Sequence, residues 1–419
     1  MFNKRLYLLL LFYLIPFISN AQWNCPSKLG EFVKPIPYTP VKAGIELVGS
    51  GGFIGDNYFG FFAGIAAIDF TIKQHTFYVE GGIKTWGRYD LSIDQKYHNT
   101  YGGFREAYYQ FLTKKLSLRL GIQTISLDDD YLVNDRAAGV NFGFDYKKWS
   151  FQAAGGSVMK HFSRNGLFCN VGYVYDILHR DRALMGNRLF ETNFGAITIS
   201  YNNKDITKGL NKIGIALYDE FGSRIDTNVF MGGLYATVTL PFEIELTPEV
   251  LYQNSLNNDA LLYSLGLRKI FTFDNTQRLD IRARLLLSTG IDKGAGIRNS
   301  FSNLFLGDVI RLEAQDLPLY QASVRYSIPK HSLHFKVQYT SEFDLTGLSE
   351  LDLSIAKKVF KQIQLAAIGG YLKSPGLQKK DAFFARIEAR IYLFSPQKKA
   401  VDKFISKVKE KKKNKNQPD

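Results

Sequence analysis

Along most of the chain, apolar and polar residues take strict turns. In the stretch 331–340, Leu333, Phe335, Val337 and Tyr339 share one parity and His334, Lys336, Gln338 and Thr340 the other. Leu279, Ile281, Ala283, Leu285 and Leu287 likewise oppose Asp280, Arg282 and Arg284. Leu116, Leu118, Leu120 and Ile122 oppose Ser117, Arg119, Gly121 and Gln123, and Tyr320, Ala322, Val324, Tyr326 and Ile328 oppose Gln321, Ser323, Arg325 and Ser327. Near the end, Arg386, Glu388 and Arg390 sit between Ala385, Ile387, Ala389 and Ile391. Successive side chains of a strand point to opposite faces, so period two with one apolar face predicts strands.

A secreted β-sandwich would alternate too, but three features point instead to a membrane barrel. The segments run to roughly 10–13 residues, against five or six in soluble sheets, and nine to eleven tilted residues cross a bilayer. Aromatics make up 14% of the chain. Many of them sit at segment ends (Trp86, Tyr108, Tyr109, Tyr146, Trp149, Tyr173, Tyr175, Tyr252, Tyr339, Tyr371), as interface girdles do. Tight turns at Lys73–His75, Thr113–Lys115, Lys147–Trp149, Pro329–His331 and Lys361–Gln362 alternate with longer polar loops, the asymmetry of periplasmic turns and outer loops.

Nineteen candidate strands can be placed, starting near residues 43, 60, 76, 104, 116, 136, 150, 166, 192, 212, 229, 242, 261, 278, 319, 331, 350, 363 and 383. Bacterial single-chain barrels have an even number, and the up-and-down parity carried from both ends collides between residues 178 and 228. The expected fold is therefore all-β: a single antiparallel transmembrane β-barrel of about 18 strands, 16 to 20 being the range, with 166–228 the ambiguous stretch. Its inward polar set would comprise Glu106, Arg119, Glu243, Glu245, Glu249, Arg268, Asp280, Arg282, Arg284, Arg325, Lys336, Glu350, Asp352, Arg386, Glu388 and Arg390. The cations among them can form a path for anions, or pair across strands and simply fill the lumen.

The ends of the chain fix the compartment. Residues 1–21 have Lys4 and Arg5, an apolar run from Leu6 to Ile18 and a small-residue exit at Ser19-Asn20-Ala21, which is a signal peptide cleaved before Gln22. Nothing else approaches 18 consecutive apolar residues, so no transmembrane helix is expected. Export without such a helix, combined with barrel patterning, places the mature chain in the outer membrane of a Gram-negative bacterium, with outer-membrane lipid as its first partner. Residues 22–40 carry Pro26, Pro35, Pro37 and Pro40 and form an extended leader, periplasmic or entering the lumen. The barrel occupies 41–394. In the tail 395–419, Ser395 can cap and Pro396 fits a first helical turn, while Val401, Phe404, Ile405 and Val408 recur at helical spacing among lysines such as Lys411, Lys412 and Lys413.

Net charge is +14, but the tail holds nine lysines against Asp402, Glu410 and Asp419. The barrel itself carries no clustered basic footprint, so nucleic acid is not an expected partner. Two cysteines, Cys25 and Cys169, exclude a disulfide-dense scaffold. The six histidines show no metal-ligand spacing, and no nucleophile elbow, zinc-protease motif or phosphate loop is present. No catalytic residue, metal or cofactor is therefore assigned. The cluster Asp128, Asp129, Asp130 and Asp135 reads as a solvated acidic loop. The long outer loop 291–318 carries an apolar patch at Phe301, Leu304, Phe305, Leu306, Val309 and Ile310, suited either to fold inward as a constriction or to dock a partner.

Residues 104–123, FREAYYQFLTKKLSLRLGIQ, followed by an acidic loop and NDRAAGVNFGFDY, resemble the alginate-export and related porin families. In those families an arginine commonly stands between the Gly and Gln of the second strand; here Ile122 takes that place. The resemblance implies an 18-stranded barrel, passive transport and an anionic polysaccharide as solute. The expected function is thus a passive channel for small polar or anionic solutes or saccharides, with Arg119, Arg282, Arg284, Arg325, Arg386 and Arg390 as contacts. The alternative is a non-transporting barrel subunit of an envelope secretion or assembly complex, docking through loop 291–318 and the basic tail.

Overall fold

The computed structural model describes residues 34–35, 41–127, 134–158, 192–203, 209–222, 228–255, 258–273, 277–288, 318–343, 347–360, 362–373 and 381–393. The signal segment, most of the leader, the tail with Phe404, Ile405, Val408 and Lys411–Lys413, the acidic loop 128–133 and the loop patch at Phe301, Leu304, Phe305 and Leu306 lie outside these residues.

The wall is one sheet of antiparallel strands: β2 (Val41–Ile54), β3 (Asn57–Ile72), β4 (His75–Asp90), β5 (Gln95–Leu112), β6 (Leu116–Ser126), β7 (Asn134–Tyr146), β8 (Trp149–Val158), β9 (Thr192–Asn202), β10 (Gly209–Gly222), β11 (Val229–Leu240), β12 (Ile244–Ser255), β13 (Asn258–Phe273), β14 (Gln277–Ser288), β15 (Leu319–Ile328), β16 (Leu333–Glu342), β17 (Ser349–Phe360), β18 (Ile363–Lys373) and β19 (Ala382–Leu393). Each pairs with the next, and β19 returns to β2 from Phe384↔Ile54 to Leu393↔Ile45, which closes the ring at 18 strands. A two-residue strand, β1 (Lys34–Pro35), adds to β2 opposite Ala43 and Lys42.

Closure removes every sheet edge, and the alternation sorts side chains onto two faces. On β17, Glu350, Asp352, Ser354 and Ala356 are buried while Leu351, Leu353 and Ile355 are half-buried on the other side. On β3, Tyr58, Phe62 and Ile68 are exposed, and on β19 Ile387 is 69% exposed. A wall with an apolar outer face and a polar inner one suits hydrocarbon, where only a closed barrel or a helix satisfies its backbone.

The surplus candidate strand is the one starting near 166. β8 pairs directly with β9, from Trp149↔Tyr201 to Ser157↔Asn193, so residues 159–191 put no strand between them in the wall. The strands near 192 and 212, inside the ambiguous stretch, both belong to the wall. With that candidate removed, the short turns at 73–74, 113–115, 147–148, 241–243, 329–332 and 361–362 all fall at one end of the barrel and the long connections 159–191 and 289–318 at the other. Lys73 (φ 54°) and Lys147 (φ 55°) take left-handed backbone in two-residue turns, the geometry that matches strand twist.

Glycine is required at one place on the seam. A Cβ on Gly52 would lie 2.0 Å from the Ala385 carbonyl oxygen across the β19–β2 pair. Gly52→Val is expected to lower stability by about 1–3 kcal/mol, the usual effect of overpacking, seen as less heat-resistant barrel on semi-native gels.

Candidate functional site

The inner face falls into zones. The first is a basic ladder on β13 to β16. Arg268 stands opposite Arg282, Asp280 opposite Arg325, and Arg325 opposite Lys336. Arg284 lies one inward position above Arg282, between Gly266 and Gln321. A single carboxylate, Asp280, accepts two hydrogen bonds from each flanking guanidinium: 3.2 and 3.1 Å from Arg268, 3.1 and 2.7 Å from Arg282. One negative charge held between two positive ones fixes the guanidinium planes and leaves net positive charge at the wall. The side chains of Arg282 and Arg268 remain 45% and 35% exposed. Glu245 is opposite Arg268 at the turn end of the ladder.

The second zone is the seam. Arg390 on β19 donates from Nε to Glu388 at 2.5 Å and from a terminal nitrogen to Glu46 on β2 at 3.0 Å. Glu46, Glu388 and Arg386 are nearly inaccessible, as are Glu350 and Asp352 on β17. These charges are spent on one another and on the wall, not offered to a solute.

On the third zone, β4 to β6, Glu80 faces Glu106, Tyr78 donates to Glu80 at 2.5 Å, and Thr124 donates to Glu106. Arg119 is held by Gln110 at 2.9 Å and lies over the Tyr108 ring, 4.4 Å from its centroid, so it is fixed away from the ladder. Tyr108 stacks on Tyr78 inside the barrel and is not a girdle residue.

Two expectations about the lumen change. Glu243 does not face it: Pro241–Glu243 is a 3-10 turn with Pro at its start, and Glu243 pairs with Lys269 at 3.3 Å, its side chain 83% exposed. The inner face is also not polar throughout. Toward the long-loop end a collar of inward apolar residues, including Leu251, Leu262, Leu286, Leu319, Leu372 and Phe384, runs round much of the barrel. Alternation hid it where both faces are apolar, as in Leu285-Leu286-Leu287. Glu46, Glu80 and Glu220 were missed as inward acids. The spacing Tyr78-x-Glu80, repeated at Tyr218-x-Glu220 with the same hydroxyl-to-carboxylate bond at 2.6 Å, is the signal that finds two of them.

Fold and lumen together define the class: a closed 18-stranded antiparallel barrel with an apolar outer wall and a charged interior. Among solved structures it is similar to OccK7 (OpdD) of Pseudomonas aeruginosa, at TM-score 0.55 and 11% identity over 84% of this chain and 98% of that one. It is also similar to the outer membrane protein OprD of the same organism (0.52, 12%, 90% and 97%) and to a BenF-like porin from Pseudomonas fluorescens Pf-5 (0.54, 9%, 86% and 99%). At these identities the likeness carries the fold. No family model and no curated sequence relative matches the chain.

Proposed function

We propose that the protein is a passive outer-membrane channel for small polar or anionic solutes, with the ladder of Arg268, Arg282, Arg284, Arg325 and Lys336 as its charged track. The carrying observation is the contrast in exposure between Arg268 and Arg282, whose guanidiniums reach solvent while Lys336 lies buried behind them, and the seam charges, which do not reach it. A row of fixed cations in a low-dielectric wall concentrates anions and lowers their entry barrier. Barrels of this strand number enclose a space wider than their own side chains fill. The similar structures include one described as a porin, which agrees with this reading. Saccharides bearing carboxylates, the solute implied by the alginate-export resemblance, are the finer version of it. No described surface favours the docking-subunit alternative.

Purified protein in planar bilayers is expected to give discrete conductance steps, with a reversal potential in a KCl gradient showing preference for chloride. Silent bilayers from folded, heat-modifiable protein would end the channel reading.

A further inference from the structure

One strand of the inner face is apolar over four successive inward positions, with charge only on its neighbours, Glu46 opposite Ile65 and Glu80 opposite Ala67. On β3, Phe61, Ala63, Ile65 and Ala67 all point inward, and they join Val48 of β2 and Tyr78 of β4 in an apolar cluster. These residues are 2–7% exposed although they face the lumen, and among the described residues the cluster draws only on β2 to β5 of the wall itself. An apolar stripe inside an aqueous barrel calls for a cover.

The start of the described chain points to that cover. β3 already occupies one side of Val41, Lys42 and Ala43, so Lys34–Pro35 must pair on the side of β2 that β19 takes higher up. The pairing Lys34↔Ala43 and Pro35↔Lys42 sends the preceding residues toward the membrane, but Leu393 already pairs with Ile45. After Val33 the leader therefore has no place left in the sheet. The lipid side would strand its backbone N–H and C=O groups and the charges of Lys28 and Glu31 in hydrocarbon. The lumen side offers water for those groups and the stripe for Trp23, Leu29 and Phe32. Twelve residues, 22–33, reach roughly 40 Å when extended, and the stripe from Phe61 to Ala67 needs about 20 Å.

We propose that leader residues 22–33 enter the lumen and seat on the β3 stripe, narrowing the pore from the periplasmic side. Continuing the register from Lys34↔Ala43 puts Leu29 level with Val48, whose partner on β3 is Ala63. The test uses the full chain with Cys25 and Cys169 changed to Ser, Leu29→Cys, and a second cysteine at Ala63 or at lipid-facing Ala66. Oxidation in outer-membrane vesicles should give the 29–63 disulfide by peptide mass spectrometry and not the 29–66 one. No 29–63 disulfide, or one no more abundant than 29–66, overturns the proposal, whether the leader stays periplasmic or a loop from the far mouth fills the stripe. Deleting 22–33 should raise single-channel conductance about twofold, since a segment roughly 10 Å across leaves the lumen; an unchanged conductance also overturns it. The disulfide reports the leader's position even in a barrel that conducts nothing, so this result and the channel reading fail separately.

Discussion

Arg282→Glu combined with Arg284→Glu is expected to turn an anion-preferring pore into a cation-preferring one. Both guanidiniums project from β14 on the inward face, and Arg282 is the more exposed member of the Asp280-centred pair. A unit charge about 6 Å from a passing ion acts with roughly 0.7 kcal/mol in bulk water, and with about half that after screening at moderate salt. Reversing two side chains changes the wall by about four charge units, which raises the chloride barrier and lowers the potassium barrier by roughly 1.4 kcal/mol each, about a hundredfold fall in the chloride-to-potassium permeability ratio. The reversal potential in a KCl gradient should change sign. If the ladder only stitches strands together, the double variant will lose stability while the reversal potential stays put. Arg386→Gln serves as the contrast: its side chain is 2% exposed, so substitution there should move stability and leave selectivity unchanged.

That contrast also marks how far sequence reasoning reached. Alternation at 278–287, 319–328 and 333–340 sorts the residues between two faces because a strand's parity is a local property. Turn lengths then fixed the direction of each strand, and the parity clash correctly signalled one strand too many. It did not single out the candidate near 166, because choosing among that candidate and those near 192 and 212 needs the pairing of Ser157 with Asn193, 36 residues away. Register is non-local, and so is the difference between Arg282 and Arg390. Both follow an apolar residue and point inward, yet one meets a lone aspartate and solvent, the other two carboxylates contributed by β2 and β19. Only the closure of the ring brings residue 46 to residue 390. Glu243 failed for a simpler reason: parity counted back from Glu245 leaves the strand at Ile244 and enters Pro241–Glu243, where the chain is already in a turn.

The same closure makes Arg390 the side chain whose loss should weaken the wall most. Arg390→Leu would take from Glu46 and Glu388, which flank it along the seam, the cation they share in a site with almost no access to water. Removing one member of a buried ionic cluster typically costs about 3–5 kcal/mol, because the remaining charges keep their desolvation penalty and lose their attraction. The urea midpoint for unfolding from lipid vesicles should fall accordingly, and the heat-modifiable band should convert to the unfolded form at lower temperature. The triple variant Glu46→Leu, Glu388→Leu, Arg390→Leu separates this cause from lost packing. Replacing a whole buried cluster by apolar groups is commonly neutral or stabilising, so the triple variant should recover most of the loss. If the triple variant is as weak as the single one, the volume of Arg390 at the seam matters and its charge does not. If the single variant matches the wild type, the seam is held by the ten backbone pairs from Phe384↔Ile54 to Leu393↔Ile45 and owes nothing to the ions beside it.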